Sequence, residues 1–257
     1  MYLPCTSESY PAPLDERCLT LPEWFRLCAE ELGLTAVELE DRHIGEPTAG
    51  GLAEVREAAA RYGLEIVNIA FMNNFGVADD GRRQMEQERT ARWMQVSKEL
   101  GTRSLRTFAG WPEGDRQVRW PSMLAALRVT ATAAERAGGR LVLENHNHGG
   151  FVQTADDLEA IPKAVYSPAL GLLLNSGNFL DGLASIRRTA GLTWHVHAKF
   201  KRVGPDGRDA RVDHDAVLAY LRGVGYTGCI SVEYEGEEPG STAVPRAVAY
   251  LRQVIVM

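Results

Sequence analysis

The chain has 257 residues, 45% of them hydrophobic and 24% charged, which is ordinary for a soluble globular protein with a sizeable core. Its formal charge is -6 with no dense Lys/Arg run, so a nucleic acid partner is not expected. Cys5, Cys18, Cys28 and Cys229 lack C-x-x-C spacing and read as reduced thiols. Met1-Tyr2-Leu3-Pro4 suggests neither a signal peptide nor a membrane span, which makes the cytoplasm the default expectation.

Taken in order, the chain repeats one pattern: an amphipathic helix stops at a glycine and a short β-rich run follows. Met1 to Thr6 is predicted as strand one, and Thr20 with Glu23 as a capping box for a helix over Leu21 to Leu32 that Gly33 ends. Strand two is expected over Ala36 to Leu39. The helix over Leu52 to Tyr62 stops at Gly63 before the run Leu64 to Phe71. A long helix from about Gln84 to Leu100, capped near Asp79 or Asp80, stops at Gly101 before Ser104 to Phe108. Pro121 to Ala137 precedes Gly138-Gly139 and the strand Leu141 to His146. Thr154 and Asp157 cap a helix to about Val165, and Leu170 to Leu174 is strand six. Asp181 to Ala190 ends at Gly191 before Thr193 to Lys199. Asp213 caps Ala216 to Leu221 ahead of Gly225 and Cys229 to Glu235, and a last helix covers Val244 to Val254. Eight strands alternating with eight helices, roughly 25 to 40 residues apart, predict a single (β/α)8 TIM barrel domain over residues 1–257. No G-x-G-x-x-G follows an early strand, so a nucleotide-binding sheet lacks its phosphate cradle.

Three of the apolar runs end in acids or imidazoles. Side chains alternate along a strand, so Val142, Glu144 and His146 share a face, as do His195, His197 and Lys199, and Ser231 and Glu233. Barrel sites lie at the carboxyl ends of the strands, where these residues fall. Glu144, His197 and Glu233 meet the need of a catalytic metal for donors on rigid elements. Asn175, at the end of strand six, is the fourth candidate.

At these residues the chain resembles the sugar isomerase and epimerase superfamily with the xylose-isomerase-like barrel. The motifs are Leu143-Glu144-Asn145-His146, Asn175-x-x-Asn178-Phe179, His195-x-His197-x-Lys199 and the run from Gly225 to Gly236, with Val37-Glu38-Leu39 after helix one. The resemblance implies one divalent ion on Glu144, Asn175, His197 and Glu233: Mn²⁺ or Mg²⁺, with Co²⁺ or Zn²⁺ as alternatives. The family has an aspartate where this chain has Asn175, which leaves two ligand charges instead of three and implies reduced affinity or a lost site. It also implies proton transfer next to a metal-polarised carbonyl through an enediolate, with Glu144 and Glu233 removing and returning the proton. The substrate implied is a sugar, a sugar phosphate or a keto-cyclitol. His43, Trp111, His146, Asn178, Lys199 and Arg202 are the candidate substrate contacts.

Each reading has a structural competitor. Glu144 and Glu233 could instead be buried ion-pair partners of Lys199 or Arg106. His197 could be a satisfied core histidine, and His195 reads as core or support rather than ligand. His146 and His148 are pocket or surface histidines, Trp111 a wall of the pocket or a packing residue, and Lys199 and Arg202 oxyanion contacts or solvated cations. Of the acidic stretch Glu233 to Glu238, only Glu233 is expected to face the site. Competing functions are a metal-dependent lyase or dehydratase, with His43 or His146 as proton donor, and a non-catalytic binding barrel with a decayed metal site. The apolar tail Val254 to Met257 suggests either a homo-oligomer interface or packing against the first helix.

Overall fold

The computed structural model describes residues 1–146 and 148–256. Met257, the last residue of the apolar tail, lies outside them. Helices end and strands begin where the sequence patterns direct. Thr20 and Glu23 form the expected capping box, with Glu23 Oε2 accepting from Thr20 N at 2.8 Å. Gly63 and Gly101 take φ of +66° and +92°, the left-handed turns that reverse the chain from helix to strand at no steric cost. Asp79 and Asp213 cap as expected, accepting from Arg82 N at 2.7 Å and Ala216 N at 3.0 Å.

The strands are β1 Cys5–Thr6, β2 Ala36–Glu40, β3 Glu65–Ala70, β4 Ser104–Thr107, β5 Arg140–Glu144, β6 Leu170–Asn175, β7 Thr193–Phe200 and β8 Cys229–Tyr234. All neighbours are parallel, and β8 pairs with β1, so the sheet closes as a single (β/α)8 TIM barrel with helices between the strands. Trp24, Phe25, Met123 and Leu127 are fully buried on the helical layer, and Ile69 and Leu105 on the strands. No helix among the described residues is long and apolar enough to cross a membrane, and the four cysteines are unbridged.

Several boundaries differ from the sequence reading, three of them for a reason visible in the chain. β1 is only two residues long, because Pro4 has no N–H to give the ladder and Tyr2 makes a separate bridge to Cys229. The helix expected from Pro121 starts at Arg116, where Asp115 caps it by accepting from Gln117 N and Val118 N, so Pro121 sits inside it. Gly191 is no left-handed stop; a 3-10 turn over Ala190–Leu192 leads directly into β7. Three short helical turns, Ser7–Ser9, Pro11–Asp15 and Asp41–Ile44, lie on the loops after β1 and β2 and form one rim of the barrel mouth.

Candidate functional site

Register brings the polar strand ends together. Asn175 pairs across from His197, and Lys199 from Glu233, while Glu144 ends β5 beside β6. Two residues along a strand is one layer up the barrel, so the inward polar side chains form two layers.

The lower layer is centred on Glu38, which is fully buried. Its Oε1 accepts from Asn68 Nδ2 at 2.8 Å and faces His197 Nε2 at 2.9 Å. Its Oε2 accepts from Ser231 Oγ at 2.8 Å and lies 2.9 Å from His195 Nε2. Burial raises the Glu38 carboxyl, but His197 and His195 outweigh it and hold it well below the usual carboxylate range. An ionised carboxylate only accepts, so His197 Nε2 carries the hydrogen.

Above it, His197 Nδ1 is buried without a hydrogen-bond partner. It points between Glu233 Oε1 at 3.4 Å and Glu144 Oε1 at 3.7 Å. Glu144, His197 and Glu233 offer ligand atoms that all lie within 4.8 Å of one another. A histidine fixed by a carboxylate on one nitrogen, with the other aimed at two carboxylates, is the arrangement that presents a lone pair to a metal. Glu38, His195 and His197 are equally close, but those atoms are consumed by mutual hydrogen bonds, so this trio acts as support.

Asn175 departs from the expected ligand role. Its Nδ2 donates to Glu144 Oε1 and Glu233 Oε2, both at 2.7 Å, while its Oδ1 accepts from Gly177 N at 3.1 Å. The amide therefore presents a donor to the glutamates and turns its oxygen away, because the Gly177 N–H holds the oxygen. Asn145, quoted in the motif but given no role, clamps the Asn175 backbone in both directions, at 2.7 and 3.0 Å.

The ion-pair competitor is also present. Arg106 Nη1 lies 3.1 Å from Glu144 Oε2 and Nη2 lies 2.8 Å from Glu40 Oε2, with the guanidinium over the Phe108 ring. Lys199 Nζ lies 3.2 Å from Glu233 Oε2 and also pairs with Glu235. Burial raises Glu144 and Glu233, but Arg106 for the first and Lys199 for the second, together with His197, hold both below the usual carboxylate range. Burial lowers His197, yet Glu38 and Glu233 push it well above the ordinary imidazole value. That shift favours the protonated ring between the glutamates, and an ion held there would take the place of the proton on Nδ1.

Of these groups, Glu144, Glu233, Arg106, Lys199 and Glu235 line a pocket of about 130 Å³ that also exposes Glu8, Glu40, Arg42, Asn178, His146 and His148. Asn178 is 2% exposed and its Oδ1 has no hydrogen-bond partner. His146 packs edge-on against Phe108 and Trp111, and burial lowers its pKa. Trp111 stands behind His146, its Nε1 donating to His148 O at 3.0 Å, and buttresses the pocket from outside.

His43 and Arg202 are not brought into this pocket. Both His43 ring nitrogens are engaged, Nδ1 with Ser7 Oγ at 2.7 Å and Nε2 with Asp15 Oδ1 at 3.1 Å, and its side chain is covered. Arg202 is exposed in a neighbouring rim pocket with Lys201, Arg211 and Tyr234. Glu235, expected to face away, lines both pockets, because alternation past the end of β8 returns it to the face of Glu233. Glu38 and Glu40 were legible by that same alternation in Ala36-Val37-Glu38-Leu39-Glu40. Spacing is the signal for Glu40, and Glu38 was quoted in the family motif without a role.

A closed parallel barrel carrying its polar side chains at the carboxyl ends of the strands defines the class. The chain belongs to the xylose isomerase-like TIM barrel family, which it matches over residues 26–254. No curated protein sequence matches it significantly. Among solved structures, it is similar to 3-keto-D-glucoside 4-epimerase YcjR from E. coli, at 18% identity and TM-score 0.79, covering 98% of this chain and 99% of that one. D-psicose 3-epimerase from Clostridium cellulolyticum H10 superposes with TM-score 0.80 at 17% identity, covering 99% of each chain. A family 2 AP endonuclease from Brucella melitensis gives 0.79 at 20% identity, over 97% of this chain and 99% of that one. Likenesses this distant establish the fold.

Proposed function

We propose that this protein is a divalent-metal-dependent isomerase or epimerase of a sugar-like ketone. The observation that carries the reading is His197 Nδ1, buried, unpartnered and aimed between Glu144 Oε1 and Glu233 Oε1. Glu144, His197 and Glu233 would hold the ion, Mn²⁺ or Mg²⁺ by their oxygen-rich set. When bound, it supplies a Lewis acid that acidifies the carbon beside a carbonyl.

The residues do the rest. Glu144 and Glu233 reach in from β5 and β8 on either side of the Asn175 amide. One, as the carboxylate, takes the proton from the carbon next to the carbonyl, and the other, entering the step protonated, gives its proton to the opposite face; the pair then resets by exchange with solvent. Arg106 beside Glu144 and Lys199 beside Glu233 favour the carboxylate form that the base needs. Asn178 Oδ1 accepts a substrate hydroxyl, an acceptor otherwise left buried without a partner. His146 and Lys199 contact the substrate from the pocket wall.

A second reading, a binding barrel with a decayed metal site, draws support from Asn175. Its amide and the neighbouring cations already compensate both glutamates with protein groups. Calorimetry with Mn²⁺ on the native protein and on Asn175→Asp separates the two. Mn²⁺ binding by the native protein, together with deuterium uptake from solvent at the carbon beside the carbonyl of a ketose or keto-cyclitol, is the expected result. Binding restored only by Asn175→Asp would favour the decayed site, and no binding by either protein would sink the metal assignment.

A further inference from the structure

Moving a proton between carbons is half of an isomerisation. A carbonyl shifts to the neighbouring carbon only if a proton also moves from one oxygen to the other, and that requires a group able to give it and take it back. Most titratable groups around the pocket are unsuited. Both ring nitrogens of His43 are engaged away from it, and burial lowers His146, which leaves a neutral imidazole that is a poor acid. Burial lowers Lys199, but Glu233 and Glu235 outweigh it and hold the ammonium proton tightly. Glu144 and Glu233 are committed to carbon.

Glu40 differs from all of these. It ends β2 one layer above Glu38, is 3% exposed and lines the pocket. Its backbone N–H is fixed on Ser7 Oγ at 2.9 Å. Two cations reach its carboxyl, Arg106 Nη2 at 2.8 Å and Arg42 Nη1 at 3.5 Å, and both address the same oxygen, Oε2. A guanidinium only donates, so a proton on this carboxyl belongs on Oε1. Oε1 has no hydrogen-bond partner among the described residues and opens on the pocket. Burial is the largest influence and favours the acid, as do Glu8 from the turn after β1 and Glu38 below, against Arg106 from β4 and Arg42 from the turn after β2. The outcome is a pKa of about 8, so at neutral pH the O–H on the pocket side is mostly present. Glu8, the other lining carboxyl that burial raises, is tied by Arg42 and stands more exposed.

We propose that Glu40 is a catalytic residue of this pocket, giving its Oε1 proton to one substrate oxygen and taking a proton back from the neighbouring one, so that the protein moves a carbonyl between adjacent carbons. The proposal rests on the reading of the site as one for sugar-like ketones, and adds a third carboxyl and the kind of isomerisation. In the step, a glutamate carboxylate removes the proton from the carbon beside the carbonyl. The C–H electron pair becomes the carbon–carbon double bond of an enediolate, and the former carbonyl oxygen takes the charge. The Glu40 O–H bond breaks and a new O–H forms on that oxygen. The Glu40 carboxylate, met by Arg106 and Arg42, then takes the proton of the neighbouring hydroxyl, whose oxygen becomes the new carbonyl as a glutamate protonates the former carbonyl carbon. Glu40 ends as it began, and no co-reactant is consumed. A pKa near 8 suits both halves: it is low enough to protonate an enediolate oxygen, and high enough to make the carboxylate a better base than an ordinary one.

The test compares exchange with conversion in the native protein and in Glu40→Gln, each with Mn²⁺ supplied. D-psicose, D-tagatose, D-fructose and a keto-cyclitol are incubated in deuterated water and followed by nuclear magnetic resonance. Deuterium at the carbon beside the carbonyl reports the glutamates, and the isomer with its carbonyl moved reports the oxygen step. Glutamine keeps an oxygen for Arg106 but has no acidic proton. The expected result is that the native protein does both with at least one compound, and that in Glu40→Gln conversion falls by about 10²–10⁴ while exchange stays within about tenfold. Retained exchange is also the control that the site is folded. Equal loss of exchange and conversion would make Glu40 a positioning residue, and unchanged conversion would remove it from the reaction. Either overturns the proposal and leaves the sugar reading standing, as does a native protein that exchanges or inverts the carbon without moving a carbonyl. If no compound exchanges with the native protein, the sugar reading falls and takes the proposal with it.

Discussion

The two polar layers inside the barrel use the same kinds of side chain and finish them differently. In the lower layer both oxygens of Glu38 are met by donors from β3, β7 and β8, and it is closed to the pocket. In the upper layer Glu144 and Glu233 are also paired, yet His197 Nδ1 and Asn178 Oδ1 remain without hydrogen-bond partners, and the glutamates line the pocket. A closed buried network fixes structure. An open one, left incomplete at the cost of unpaired polar atoms, marks the place where something from outside is meant to bind.

Breaking the lower layer should have the largest effect. Glu38→Ala leaves two imidazoles, an amide and a hydroxyl facing a hole, and is expected to cost about 3–5 kcal/mol, read from the urea midpoint. An unchanged midpoint would mean that this layer is not the support described. In the upper layer, Glu233→Gln should lower turnover by about 10²–10⁴ while leaving the far-ultraviolet circular dichroism spectrum unchanged. Equal loss of fold and turnover would make Glu233 a structural residue.

A third buried imidazole, outside both layers, sharpens the contrast. His214 is 2% exposed and stacks on Phe200 at 4.2 Å, and burial lowers its pKa to about 4 instead of the usual 6.5. Between those values the unfolded chain binds a proton that the folded chain refuses, so stability falls as pH falls through this window. The loss approaches about 3 kcal/mol at the acid end. His214→Phe should flatten that part of the pH–stability curve, and an equally steep curve in the variant would assign the dependence to other groups. The smallest effect is expected at His43, whose partners Ser7 and Asp15 are structural. His43→Ala should cost about 1–2 kcal/mol of stability with KM unchanged. A severalfold rise in KM would return it to the substrate site.

Legibility followed spacing. Glu144, His197 and Glu233 could be found because an acid or imidazole at the end of an apolar strand is expensive without a partner. Arg106 could be named as an ion-pair partner from its place on β4. The orientation of Asn175 could not be read, because an amide carries a donor and an acceptor on one carbon. Which of them faces the glutamates depends on the Gly177 N–H. The role of Glu235 was missed because the charged run from Glu235 to Glu238 resembles a solvated face, and only the end of β8 sets how far the alternation continues.

The sequence by itself determined the alternation of strand and helix, the closed barrel and the carboxyl-terminal clustering of the acids, since these follow from local periodicity, glycine stops and capping residues. Tertiary structure alone decided which acid meets which cation, that His43 turns away while Glu40 turns in, and that His197 Nδ1 faces Glu144 and Glu233 without a hydrogen bond. Those outcomes depend on register between strands far apart in the chain, and no local pattern carries that information.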